Sequence, residues 1–143
     1  MTENNLALAV RGLTVEFQTP EGTVQAINDL SIEIENGKTL GLVGETGAGK
    51  TTTALAVMRL IQMPPGVIKA GEVLLHGENV LNKSQKEMEK IRGKEVSMIF
   101  QDPMTALNPV MTVEDQIAEV IAHHEKVRER DALKKAHEML EMV

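Results

Sequence analysis

Apolar and polar residues alternate along the start of the chain, the period of a half-buried strand. Leu6, Leu8 and Val10 share one side, and Leu13, Val15 and Phe17 resume the pattern after Gly12. This predicts a strand over 6–17, bulged near Gly12. Thr19-Pro20-Glu21-Gly22 predicts a turn, 24–27 a short return strand, and 31–35 a half-buried strand with Ile32 and Ile34 between acids. Asn36-Gly37 is a hairpin signal, and 38–43 reads as the next strand. The period then lengthens: 50–61 reads as a helix ended by Met63-Pro64-Pro65-Gly66. A connector over 67–71 leads to a strand over 72–76, which includes His76, and to a turn at Gly77-Glu78-Asn79. Ser84-Gln85-Lys86-Glu87 fits a capping box opening a short helix to Arg92, stopped by Gly93. The apolar run 95–100 predicts a strand in a buried, parallel part of a sheet. After a loop over 104–109, Thr112 predicts the cap of a helix over 113–124. A second helix over 128–143 repeats Leu133, Ala136, Leu140 and Val143 at helical spacing. Residues 1–5 form a polar lead expected to fray.

Composition narrows the possible functions. The 143 residues, 42% of them hydrophobic, suit one domain with a core. The absence of cysteine excludes a disulfide framework, thiol catalysis and a thiolate metal site. No apolar run approaches membrane-spanning length and no signal-peptide pattern opens the chain, so a soluble cytoplasmic protein without direct membrane insertion is expected. A net charge of −6 argues against non-specific nucleic-acid binding, and with no Trp or Tyr and two Phe there are few base-stacking platforms.

The chemistry concentrates in Gly-Glu-Thr-Gly-Ala-Gly-Lys-Thr at 44–51, which matches the phosphate-loop pattern G-x-x-x-x-G-K-[ST] at every fixed position. The apolar run 40–43 precedes it and a helix-compatible run follows, the setting the motif requires. Gly44, Gly47 and Gly49 permit backbone conformations closed to other residues. The amides of Gly44, Glu45, Thr46, Gly47, Ala48 and Gly49 can then turn inward as an anion nest, joined at the helix start by Lys50, Thr51 and Thr52. Lys50 is expected to reach the β- and γ-phosphates, and the Thr51 hydroxyl to bind Mg²⁺. The bland alternative is a glycine-rich turn before an ordinary helix.

A family becomes visible at Gln101. Ser-Met-Ile-Phe-Gln-Asp-Pro-Met-Thr-Ala-Leu-Asn-Pro-Val-Met-Thr-Val at 97–113 resembles the glutamine loop of ATP-binding-cassette transporter ATPases, and more narrowly that of oligopeptide and dipeptide importers. The loop at 44–51 is similar to that group's G-E-S-G-S-G-K-S. The resemblance runs from Leu6 to Val143. It implies an α/β P-loop core with an N-terminal antiparallel β region over 1–100, a glutamine loop over 101–111 and the start of a helical subdomain over 112–143. It implies ATP and Mg²⁺ as cofactors, Lys50 and Gln101 as catalytic residues, Thr51 and Gln101 on the metal, and Gln101 beside the attacking water. Phe17 falls where the family places an aromatic that stacks on adenine; a plain core phenylalanine at a strand end fits it equally. The implied partners are transmembrane permease subunits, met through the loop around Gln101, and a second ATPase subunit, identical or related. The chain would then sit peripherally on the inner face of the cell membrane.

The family pattern is partial. The 143 residues contain no L-S-G-G-Q signature, no apolar run ending in Asp-Glu (the Walker B aspartate and catalytic glutamate) and no switch histidine. His123 and His124 are adjacent, cannot share a helix face, and read as solvated rather than as a metal site. The expectation is an N-terminal half of a longer ATPase, for peptides or nickel, that binds nucleotide and hydrolyses it slowly or not at all. Two other readings stay open: a small self-contained P-loop enzyme, such as a kinase or other NTPase, using Asp102 as its acid, and a non-catalytic nucleotide-binding fragment.

Overall fold

The computed structural model describes residues 5–101 and 107–143, and the chain divides into two compact units, Met1–Met88 and Glu89–Val143. The first unit is built on an antiparallel sheet. Strand β1 (Leu6–Thr19) pairs with β2 (Gly22–Glu35) on one edge and with β3 (Gly66–Leu75) on the other, and β3 pairs with the short β4 (Glu78–Asn79), giving the order β2-β1-β3-β4. Helix α1 (Lys50–Val57) lies between β2 and β3 in the chain. The alternation expected over 6–17 produces the core: Val10, Leu13 and Val15 are buried with Ile27, Val57, Val73, Val80 and Met88.

The bulge expected near Gly12 is present. Gly12 has φ 59°, and the register of β1 shifts on both of its partners there. Side chains take up the displaced amides: Gly12 N–H donates to Ser31 Oγ at 2.9 Å and Asp29 N–H to Thr14 Oγ1 at 3.1 Å. The stretches 24–27 and 31–35 are one strand, not two, because the polar Asn28-Asp29 between them is an irregularity that the ladder spans, with Asp29 at φ 49°. Likewise 67–71 is not a connector but the first half of β3. Gly71, at φ 101°, lets that half through: a Cβ there would lie 2.5 Å from Leu13 Cα. His76 is not in a strand; with φ 48° it joins Gly77 (φ 83°) in a two-residue turn closing β3 on β4, the primed geometry that right-twisted strands favour.

Helix α1 ends four residues before the expected Ile61. Arg59 at φ 50° closes it, with Leu60 N–H donating to Leu55 O (2.8 Å) and Arg59 N–H to Ala56 O (3.0 Å), the double bond of a Schellman ending. Glycine usually takes that left-handed position. Here the Arg59 guanidinium binds the carbonyls of Val80 and Lys83, which offsets a backbone cost of about 1–2 kcal/mol.

In the second unit, α3 (Val113–Glu125) is capped as expected by Thr112, whose Oγ1 accepts from Asp115 N at 3.1 Å. It packs on α4 (Glu129–Glu141) around Ala118, Ala132 and Ala136, with Ile117, Ile121 and Leu133 at the margin. The buried stripe of α4 thus includes Ala132, whereas Leu140 and Val143 are exposed, contrary to the helical repeat expected. The capping box is present at the start of α2 (Gln85–Ile91): Glu87 Oε2 accepts from Ser84 N at 2.7 Å, and Ser84 Oγ from Glu87 N at 3.4 Å. Among the described residues no helix is long and apolar enough to cross a membrane.

Two expected strands do not form. Residues 38–43 belong to no strand, and 95–100 shows one isolated bridge, Arg92 to Val96. An apolar strand of a parallel sheet needs a ladder on its edges and cover on its faces. Among the described residues neither run has these, and Val43 is 94% and Ile99 96% exposed. Exposed apolar runs of this kind drive association. The chain is therefore expected to self-associate at micromolar concentration, read as a concentration-dependent sedimentation coefficient. A tight monomer over the same range would contradict this. Asp102 and residues 104–106 lie outside the described residues, as do 1–4 of the polar lead.

Candidate functional site

The loop at 44–51 is an exposed turn running into the N-terminus of α1. Gly47 and Gly49 take φ 86° and 83°, in the left-handed region that favours glycine. Their settings differ. A Cβ on Gly47 would meet nothing within 4 Å, whereas one on Gly49 would lie 2.5 Å from the carbonyl oxygen of Ala26 on β2 and 3.5 Å from Ile27 Cγ1. One on Gly44 would sit 3.2 Å from Ala48 Cβ. The loop is therefore tight on itself at its start and tight against β2 at its end.

Lys50, the first residue of α1, folds its side chain back over the loop. Its ammonium donates to Gly44 O at 2.6 Å and to Glu45 O at 2.7 Å. An ammonium carries three protons, so one donor remains for an incoming acceptor while the other two brace the loop. Ala48 N–H closes the turn on Glu45 O at 3.1 Å. Thr51 is exposed on the first helical turn and Thr52 is half-buried. Beside Lys50 and Ala48, an open cavity of about 290 Å³ is lined by Ala26, Ile27, Asn28, Leu30, Leu42, Val43 and Thr53.

The other expected residues sit elsewhere. Phe17 is half-buried near the end of β1, paired with Val24 and Gly66, and its Cε1 would lie 3.1 Å from a Cβ on Gly66. Gln101 is exposed in the second unit, at the last described residue before 107. Among the described residues no three His, Cys, Asp or Glu side chains group to hold a metal ion. Ala26, Ile27 and Thr53 join the site through contacts that carry no mark in the sequence. No pattern in a single chain marks a strand carbonyl as the wall behind a glycine. Thr53 reads as just the third of three threonines, yet it is buried while the others are not.

This donor set fits a nucleotide polyphosphate. The glycines permit inward-facing amides, α1 offers its N-terminal N–H groups, and Lys50 supplies a positive charge at the same mouth. The lone Thr51 hydroxyl suits a Mg²⁺ ion, which keeps water and phosphate oxygens as most of its ligands.

Comparison with known proteins gives the family. Over 136 residues the chain is 50% identical to the oligopeptide transport ATP-binding protein OppD of Bacillus subtilis (strain 168), covering 95% of this chain and 38% of that protein. It is 42% identical over 136 residues to the dipeptide transport ATP-binding protein DppD of the same strain, covering 95% of this chain and 41% of that one. The chain thus spans about two-fifths of the length of these curated relatives. Among solved structures, the ATP-binding cassette MJ0796, described as a dimer in a post-hydrolysis state bound to ADP and Pi, superposes with a TM-score of 0.77 over 94% of this chain and 56% of that one. At 20% identity that likeness establishes the fold. The family model for the ABC transporter matches residues 27–143, which include the phosphate loop, Lys50 and Gln101, and the chain belongs to that family.

Proposed function

We propose that this chain is the nucleotide-binding part of the ATPase subunit of a peptide-type ABC importer. The observation that carries the reading is the loop with Lys50 braced across it, in a chain 50% identical to an oligopeptide transport ATP-binding protein. ATP is the ligand: its phosphates would lie on the loop amides of 44–50 other than Ala48, which closes the turn on Glu45, and on Lys50, and Thr51 would contribute a Mg²⁺ ligand. Gln101 would add the second protein ligand and face the attacking water. Phe17 takes the adenine face; its packing against Gly66 leaves the ring half-buried. Residues 1–100 form the nucleotide-binding core, 101–111 the glutamine loop that meets the permease subunits, and 112–143 the start of the helical subdomain. A second ATPase subunit completes the working unit, held at the inner face of the membrane by the permease. The cargo class is peptide, with nickel the next candidate.

Binding is expected to outrun hydrolysis in these 143 residues. Phosphoryl transfer to water depends on positioned acids and transition-state donors, and the sequence holds no Walker B acid pair, signature motif or switch histidine. The test pairs ATP–Mg²⁺ titration calorimetry with phosphate release on the same sample. Saturable binding without steady turnover is expected. Steady turnover that Lys50→Ala abolishes would overturn the second half of the reading, and no heat of binding would overturn the first.

A further inference from the structure

We infer that Thr53 is a positioning residue for the phosphate loop, acting through the Gly49–Lys50 peptide. The inference rests on the nucleotide reading above and adds a residue that the loop motif does not contain. Thr53 is 5% exposed, a buried polar side chain within an apolar set. Its hydroxyl donates to Gly49 O at 2.9 Å, and its own N–H donates to the same oxygen at 2.8 Å. Both bonds draw the Gly49 carbonyl along the helix, away from the loop mouth.

A trans peptide is planar, with C=O and N–H on opposite sides. Fixing the Gly49 carbonyl therefore fixes the Lys50 N–H in the reverse direction, out of the helix start and into the nest. That amide is one of the unpaired N-terminal donors that an anion receives. The other side of Gly49 is walled by Ala26 O. The peptide is thus held between a hydroxyl on α1 and a carbonyl on β2, so it is set before ligand arrives. A donor already aimed loses less freedom on binding. A valine here would bury equally well and would lack the bond, and a threonine bonding back to the fourth residue before it generally weakens a helix slightly. The hydroxyl's contribution is therefore to orientation rather than to helix stability.

The test is ATP affinity in Thr53→Val, nearly isosteric, and Thr53→Ser, which keeps the hydroxyl, with the Lys50 amide proton shift on adding ATP read by NMR. Thr53→Val is expected to bind about three- to tenfold more weakly, the range for one hydrogen bond. Its Lys50 amide shift should shrink while its melting temperature holds or rises; Thr53→Ser should match the parent within about twofold. If Thr53→Val does not fold, Thr53→Ala against Thr53→Ser isolates the hydroxyl with the same expected ratio. Equal affinity and equal Lys50 shifts with and without the hydroxyl, in a parent that binds ATP, overturn the positioning role alone. A parent that does not bind ATP overturns the nucleotide reading and this role together.

Discussion

Lys50→Ala is expected to weaken ATP binding by about a hundred- to a thousandfold while leaving the sheet and α1 folded. Two losses combine. The ammonium's bond to phosphate is charge-assisted and is worth about 1.5–3 kcal/mol. The same ammonium also braces the loop by holding the carbonyls of Gly44 and Glu45 at 2.6 and 2.7 Å. Those oxygens are exposed to water once released, so their loss adds about 1 kcal/mol of ordering cost rather than a buried-group penalty. The sum, about 2.5–4 kcal/mol, is roughly two to three decades in affinity. Lys50→Arg should fall between, because a planar guanidinium cannot point three donors at two carbonyls and a phosphate as a compact ammonium does. Calorimetry with ATP–Mg²⁺ measures the loss, and far-ultraviolet circular dichroism checks the fold. An alanine variant within threefold of the parent would show that the loop backbone binds phosphate unaided and that the brace is incidental.

How much of this was legible beforehand follows from how local each feature is. The capping box at Ser84 and Glu87, the Thr112 cap and the Gly12 bulge were readable because a few neighbouring residues determine them. The glycine-rich turn into α1 at 44–51 was readable for the same reason. Features set by distant partners were not. Asn28-Asp29 looks like a break, yet Ser31 and Thr14 side chains carry the ladder across it. The end of α1 carries no glycine; it rests on Arg59 reaching carbonyls more than twenty residues on. The runs 38–43 and 95–100 have strand composition, but a strand exists only where another chain segment pairs with it. In the candidate site, the motif puts Lys50 forward, while the brace it makes across the loop is not written in the motif. Ala26 and Thr53 entered only through contacts.

Those contacts also rank the glycines of the loop, which the motif treats only by position. Gly49→Ala is expected to abolish measurable ATP binding, whereas Gly47→Ala should cost about tenfold or less. Both residues have left-handed backbones, φ 83° and 86°, so alanine pays a similar conformational penalty of about 1–2 kcal/mol at each. The difference is steric. At Gly47 the added methyl enters open space. At Gly49 it would sit 2.5 Å from Ala26 O, well inside contact distance, and that oxygen belongs to strand backbone between the paired residues Gln25 and Ile27. Ala26 falls at a register shift of β2, but the pairs Glu16–Gln25 and Val15–Ile27 hold the strand on both sides of it, so the exposed loop and the first turn of α1 move instead. That movement displaces the Gly49 carbonyl from Thr53 and turns the Lys50 amide out of the nest, so the helix terminus and the ammonium lose their common focus. The expected readouts are a melting temperature lowered for both variants but further for Gly49→Ala, and an ATP affinity ratio between them of at least about tenfold, as two further contact losses imply. Equal affinities would mean that β2 does not set the loop, and that the wall at Ala26 gives way at no cost to the nucleotide site.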